Sequence, residues 1–144
     1  MDPILRQFKS SDIPDIITVE NRAFPDPWPP EAFTGLLDYH NWILELDGKL
    51  IGYIMYHFIM DEAVILNFAI DPDYTDRGFG GYLLNGSLSE LIARGCRRVF
   101  LDVRKSNLVA IGLYKKNGFE ELGIRKDYYR HPPEDALVMG KALS

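Results

Sequence analysis

Apolar positions change period several times along the chain, and each change marks an element. Ile4–Phe8 is a short apolar-rich run that predicts a first strand. Ser10-Ser11-Asp12 then offers helix N-caps, with Pro14 inside the first turn, where a missing N–H costs nothing. Ile13, Ile16, Ile17, Glu20, Ala23 and Phe24 follow at helical spacing, five apolar and one polar. The segment Pro25–Pro30 (PDPWPP) must leave the helix, because proline breaks it and restricts the residue before it. Ala32, Phe33, Leu36 and Leu37 predict a short second helix, so two helices flank a proline-stiffened loop carrying Trp28. Trp42–Leu46 and Leu50–Met60 read as strands around the Asp47–Gly48 turn, a strong hairpin signal. Ala63–Ile70 is another strand, hairpin-paired across Asp61–Glu62 and ended by Asp71–Pro72. A glycine-rich turn, Arg77–Gly81, precedes a helix stripe of Leu84, Leu88, Leu91 and Ile92, which Arg94–Gly95 ends. Val99–Val103 is a strand, Ser106 or Asn107 caps a further helix, and Asn117–Gly118 terminates it. Two last strands fall near Phe119–Leu122 and Ala136–Lys141. The order predicts a mixed α+β domain in which antiparallel hairpins lead into one right-handed β-α-β crossover.

The chain has 144 residues, which fits a single domain spanning 1–144. At 47% hydrophobic and 26% charged it is ordinary globular material, which excludes a disordered, collagen-like or disulfide-scaffold chain. The single cysteine, Cys96, can form neither an internal disulfide nor a cysteine metal site, and fits a reducing compartment. Asp2, Arg6, Lys9, Asp12 and Asp15 interrupt every apolar run that a signal peptide needs. The longest apolar stretch, Leu50–Met60, is well short of the ~20 residues that span a bilayer. The expectation is a soluble, cytoplasmic protein without membrane contact. A net charge of −5 argues against a nucleic-acid partner. Residues 1–72 hold 4 Lys/Arg against 12 Asp/Glu and residues 73–144 hold 12 against 9, so the halves carry −8 and +3. This split suits an anion on the second half and a cation on the first, although uneven scatter of surface charge fits the same counts.

Two segments bring chemistry together. In Asn67–Leu84 (NFAIDPDYTDRGFGGYLL), Gly78, Gly80 and Gly81 lack side chains where the chain turns into a helix. Such a turn aims backbone N–H groups at an anion, helped by the helix dipole, and Arg77 adds a charge. No Gly-Lys-Ser/Thr follows, so it is not a P-loop, and Leu83 breaks the dinucleotide GxGxxG pattern. The bland alternative is a tight turn needing positive φ. In Leu101–Phe119 (LDVRKSNLVAIGLYKKNGF), Asp102 sits near the carboxyl end of an interior strand, where a charge is costly unless paired or used. Asn107 opens the next helix and Tyr114 lies seven residues along the same face. A carboxylate and a phenol on adjacent elements form a base–acid pair. Singly, Asp102 also fits a salt bridge and Tyr114 a core position. His57 fits a structural strand position better than a base, Asp26 and Glu31 offer charge to an ammonium, and Cys96 fits buried filler at a helix end.

With both segments in place, the chain resembles the GNAT superfamily of N-acetyltransferases. The superfamily turn has the form Gln/Arg-x-x-Gly-x-Gly/Ala, and Thr75-Asp76-Arg77-Gly78-Phe79-Gly80 occupies its place, with Thr75 for the leading residue. Within the superfamily it is similar to the RimI type, from about Ile4 to Leu143. The landmarks are Ala23-Phe24, Pro27-Trp28, Asp71-Pro72-Asp73-Tyr74, Val103-Arg104, Ser106-Asn107, Leu113-Tyr114, Gly118-Phe119, Tyr128-Tyr129 and Glu134-Asp135-Ala136. The resemblance implies a mixed, mostly antiparallel central sheet with helices on both faces and a parallel, splayed strand pair at the acetyl-CoA site. It implies acetyl-CoA as co-substrate, no metal, and a protein N-terminus as partner, that of a ribosomal protein in the RimI type. A monomer or weak homodimer is expected. Phe68, Ala69 and Ile70 would pair with the pantetheine arm, and Thr75, Asp76, Arg77, Gly78, Phe79, Gly80 and Gly81 would hold the pyrophosphate. Asn107 would also hydrogen-bond the co-substrate, and Tyr114 matches the general acid that protonates the departing thiolate. Asp102 falls where the RimI type has a glutamate base. It is shorter by one C–C bond, about 1.5 Å, which favours a water relay. The resemblance implies direct transfer through a tetrahedral adduct, and the roughly one tenth of a peptide α-amine that is neutral at pH 7 is the form that attacks. Trp28, Tyr128 and Tyr129 would flank the peptide. The readings that compete are a superfamily member acting on a lysine or small amine, kept open by Asp102 and Thr75, and a non-catalytic acetyl-CoA-binding sensor.

Overall fold

The computed structural model describes residues 2–34 and 40–143. Among the described residues, eleven α-helices and strands follow the predicted order. These are β1 (Ile4–Gln7), α1 (Ile13–Ala23), α2 (Glu31–Thr34), β2 (Asn41–Leu46), β3 (Lys49–Ile59), β4 (Glu62–Ile70), α3 (Phe79–Ala93), β5 (Arg98–Arg104), α4 (Leu108–Lys116), β6 (Glu120–Arg130) and β7 (Pro133–Ala142). Leu36 and Leu37, the second half of the predicted second helix, lie outside the described residues. The strands form one sheet in the order β1-β2-β3-β4-β5-β7-β6. β1–β2, β2–β3, β5–β7 and β6–β7 are antiparallel. β4 and β5 are parallel, paired over Glu62–Val64 and Arg98–Phe100, only three residues of strands nine and seven long.

The chain divides into two compact units, Met1–Tyr56 with Leu66–Glu90, and His57–Ile65 with Leu91–Ser144. In the first, strand alternation sorts side chains onto two covered faces. Ile43, Tyr53 and Met55 meet Ile16 and Val19 of α1 and Phe33 of α2 in one core cluster. The alternate residues face α3. A Cβ on Gly52 would meet Leu83, one on Gly86 of α3 would meet Leu5 at 2.8 Å, and the Tyr56 phenol bonds Ser87 at 2.8 Å. Helices therefore cover both faces, which is why Leu50–Tyr56 reads as one unbroken buried run. Asp12 stands at the N-cap of α1 without capping it. Its carboxylate accepts Arg6 Nη1 and Nη2 at 2.8 and 2.6 Å and the Lys9 N–H at 2.8 Å.

In the second unit β5 alternates buried and half-buried residues, and Ile111 and Tyr114 form the buried side of α4. Asn107 is the residue that caps α4, its side-chain oxygen accepting the Ala110 N–H at 3.2 Å. β6 is much longer than Phe119–Leu122. Its polar edge strand lacks the apolar alternation that would have revealed it. Between Arg125 and Tyr129 four steps on β6 oppose the two from Ala136 to Glu134 on β7, a bulge with Asp127 at φ 53°. Bulges re-aim side chains, and this one contains Tyr128 and ends at Tyr129.

Candidate active site

The glycine turn is shorter than Arg77–Gly81. Asp76 and Gly78 take left-handed φ of 63° and 84°, and α3 starts at Phe79, so Gly80 and Gly81 are already helical. The Tyr82 N–H donates to Gly78 O at 3.1 Å, the opening bond of the helix. The N–H groups ahead of it are those that a helix leaves without an intrahelical acceptor. The loop leading there is held firmly. Buried Asp71 accepts the Asp73 N–H at 3.0 Å and Arg22 Nη1 at 2.8 Å, while Arg22 Nη2 reaches Asp73 at 3.1 Å. Thr75 donates its hydroxyl to Pro72 O at 3.1 Å. Arg77 and Lys49 both lie over the Tyr74 ring, at 5.4 and 5.3 Å, placing two cations beside the turn. Ahead of it on β4, Ala69 packs into the core cluster and the Phe68 N–H is taken by the Asn67 side-chain oxygen at 2.9 Å.

The second unit gathers a different set. Asp102 Oδ1 accepts Arg125 Nε at 3.0 Å, so the interior-strand charge is paired. The Tyr129 phenol is pushed up to about 12, by burial first and then by the negative field of Asp102. Tyr114 is 6% exposed and its ring lies 5.4 Å from Phe119. Burial, helped by nearby Tyr129, raises its phenol well above the ordinary value, so the hydroxyl keeps its proton at neutral pH. Asp102, Tyr114 and Tyr129 are thus brought into one neighbourhood, with Tyr128 edge-on to Tyr129 at 5.1 Å. The Arg104 guanidinium stacks on Tyr129 at 4.2 Å. It donates to Pro132 O at 2.9 Å and His131 O at 3.0 Å, and pairs with Glu134 at 3.2 Å. Glu134 in turn accepts the Ser106 N–H at 2.6 Å. The Ser106 and Arg104 bonds hold the Glu134 carboxyl below its usual range.

Trp28 is half-buried, its ring 5.4 Å from Phe33, so it packs on the core from within its loop. His57, Asp26 and Glu31 are exposed. Cys96 is buried, which pushes its thiol up. Three further residues bear on the site without a motif to mark them: Arg125, 23 residues from its partner Asp102; Arg104, whose partners lie on β6 and β7; and Glu20, the single polar residue on an apolar stripe. Among the described residues no group of three His, Cys, Asp or Glu is placed to hold a metal, and no helix is long and apolar enough to cross a membrane.

A family model described as the acetyltransferase (GNAT) family matches residues 13–119. The chain belongs to this family. The chain is 35% identical over 144 residues to the ribosomal protein bS18-alanine N-acetyltransferase of Escherichia coli K12, covering 97% of each chain. It is 37% identical over 139 residues to the Salmonella typhimurium protein of the same name, covering 94% of each. The crystal structure of the Escherichia coli enzyme superposes with a TM-score of 0.93 at 34% identity, over 99% of this chain and 95% of that one. A structure of Ard1 from Thermoplasma volcanium gives the same TM-score at 24% identity and speaks for the fold. The RimI resemblance is therefore met, and the protein is an acyltransferase of the GNAT family.

Proposed function

We propose that the whole chain, 1–144, works as one domain that acetylates the free α-amino group at the N-terminus of a protein. The substrate chemistry assigned is that named for its relatives, an N-terminal alanine of a ribosomal protein. The observation that supports this most directly is the grouping of Asp102, Tyr114 and Tyr129, a carboxylate with a protonated phenol, in a chain similar end to end to those enzymes.

Acetyl-CoA, as co-substrate, supplies an acetyl group activated as a thioester. The residues present fit it. The first N–H groups of α3, unhindered at Gly80 and Gly81 and flanked by Lys49 and Arg77, form a cationic cradle for a pyrophosphate. Phe68, Ala69 and Ile70 offer β4 backbone to the pantetheine amides. The Asp71 N–H donates to Ile51 O on β3 and N–H groups alternate along a strand, so the Ile70 N–H is aimed away from β3 and is the donor assigned to the acetyl oxygen. Asn107 spends its side-chain oxygen on the α4 cap, leaving its amide NH2 to donate. Asp102 takes a proton from the incoming amine through a water, its reach being short by about 1.5 Å against a glutamate. As the C–N bond forms and the C–S bond breaks, Tyr114 gives its proton to the departing sulfur. Trp28, Tyr128 and Tyr129 hold the peptide. The location that suits this activity is the cytoplasm.

The assignment is tested by Tyr114→Phe with an alanine-ended peptide, following thiol release and acetyl-CoA binding separately. Lost turnover with retained binding is the expected result. Unchanged turnover removes Tyr114 as the acid, and wild-type protein that binds acetyl-CoA but acylates no amine points to a sensor instead.

A further inference from the structure

We propose that Glu20 is a positioning residue that clamps the Trp28 loop in its peptide-binding form. The proposal rests on the reading that this loop contacts the peptide. Glu20 is 2% exposed on the apolar side of α1, among residues where a leucine would complete the stripe. A carboxylate removed from water is costly unless hydrogen-bonded. Here Oε1 accepts the Tyr53 phenol and Asn67 Nδ2, the latter at 2.7 Å, and Oε2 accepts the Trp28 N–H at 3.0 Å. All three donors are neutral, so no cation offsets the burial through these bonds. Packing needs none of this. What the carboxylate adds is direction: one oxygen fixes the Trp28 backbone in a loop whose prolines have no N–H to give. The other fixes Asn67, whose own oxygen holds the Phe68 N–H at 2.9 Å on the strand assigned to acetyl-CoA. One buried acid therefore anchors main chain in both the peptide loop and the co-substrate strand.

Glu20→Gln is the direct test, because glutamine keeps the shape and one acceptor but opposes an N–H to one of the present donors. Peptide KM should rise about tenfold, the scale of one hydrogen bond, with kcat within about twofold and acetyl-CoA Kd raised by a smaller factor than KM, because Asn67 loses one anchor but keeps its own bond to the Phe68 N–H. Amide exchange at Trp28 should quicken. Tyr53→Phe, which removes one donor and leaves the ring in place, should move peptide KM the same way by a smaller factor, and serves if Glu20→Gln does not fold. If Trp28→Ala raises peptide KM while both of these variants leave it unchanged, the clamp is wrong and the peptide reading stands. If all three leave it unchanged, the loop does not bind the peptide and both fail. If the unaltered protein does not turn over the peptide, the proposed function fails, and unchanged Trp28 exchange in Glu20→Gln would still overturn the clamp.

Discussion

Replacing Arg104 by lysine isolates what a guanidinium fork contributes to the tyrosine beneath it. Lysine keeps the charge and much of the stem but cannot bridge the His131 and Pro132 carbonyls at 3.0 and 2.9 Å while lying flat over Tyr129. One carbonyl bond is lost, worth about 1 kcal/mol, and a partly exposed stacking contact worth roughly 0.5 kcal/mol. A loss of about 1.5 kcal/mol in a domain of this size lowers Tm by roughly 6 °C. Function should suffer through Tyr129. If its ring must be re-ordered on binding, at about 0.5–1.5 kcal/mol per immobilised side chain, peptide KM rises roughly two- to tenfold. Acetyl-CoA Kd and kcat should hold, since Arg104 touches neither the glycine turn nor Tyr114. Thermal unfolding followed by circular dichroism, with steady-state kinetics at varied peptide, measures both effects. Unchanged Tm and peptide KM would refute the idea that Arg104 fixes Tyr129. A Tm loss without any KM change would confine Arg104 to holding the β6–β7 turn.

Tyr114→Phe keeps the ring against Phe119 and removes only the hydroxyl. Its kcat should fall roughly 10²–10³-fold with acetyl-CoA Kd unchanged by calorimetry. Because burial raises the Tyr114 phenol, wild-type kcat should show no loss assignable to this group as pH rises from about 8 to 10, and an alkaline loss that Tyr114→Phe abolishes would contradict it. Asp102→Asn should cut kcat at saturating peptide while acetyl-CoA Kd holds, and a kcat like wild type would dismiss Asp102 as the base. Asp12 supplies an acid-stability prediction. Burial pushes its carboxyl up, but the Arg6 and Lys9 bonds outweigh this and hold it below the ordinary value. The unfolded chain then binds more protons than the native one, so the contribution is complete above the unfolded pKa and fades as pH falls through the folded one. Denaturant unfolding should lose stability below about pH 4, and Asp12→Asn should flatten that decline.

Element order was legible because period changes and caps are local, from the Asp47–Gly48 hairpin to the Asn107 cap. What stayed hidden depends on partners distant in sequence. Leu50–Tyr56 cannot say which residues face which helix, since both faces are covered. β6 was foreshortened because an exposed edge strand such as Glu120–Arg130 carries little apolar pattern. Gly80 and Gly81 read as turn because glycine is a poor helix former, yet the stripe from Leu84 onward draws them into α3. Asp102 was visible as an anomaly, an interior-strand charge, while Arg125 was not, because exposed arginines are common. Glu20 had a signal that went unused, a lone acid at an apolar helical position; its three donors come from β3, β4 and the proline loop.

Every residue role above depends on transfer of acetyl to an N-terminal α-amine. Mass spectrometry with fragmentation, on a peptide with a free N-terminal alanine and one internal lysine incubated with acetyl-CoA and the protein, tests it most directly. The expected product carries acetyl on the α-amine alone. Acetyl on the lysine with the α-amine untouched would contradict it and make the protein a lysine acetyltransferase.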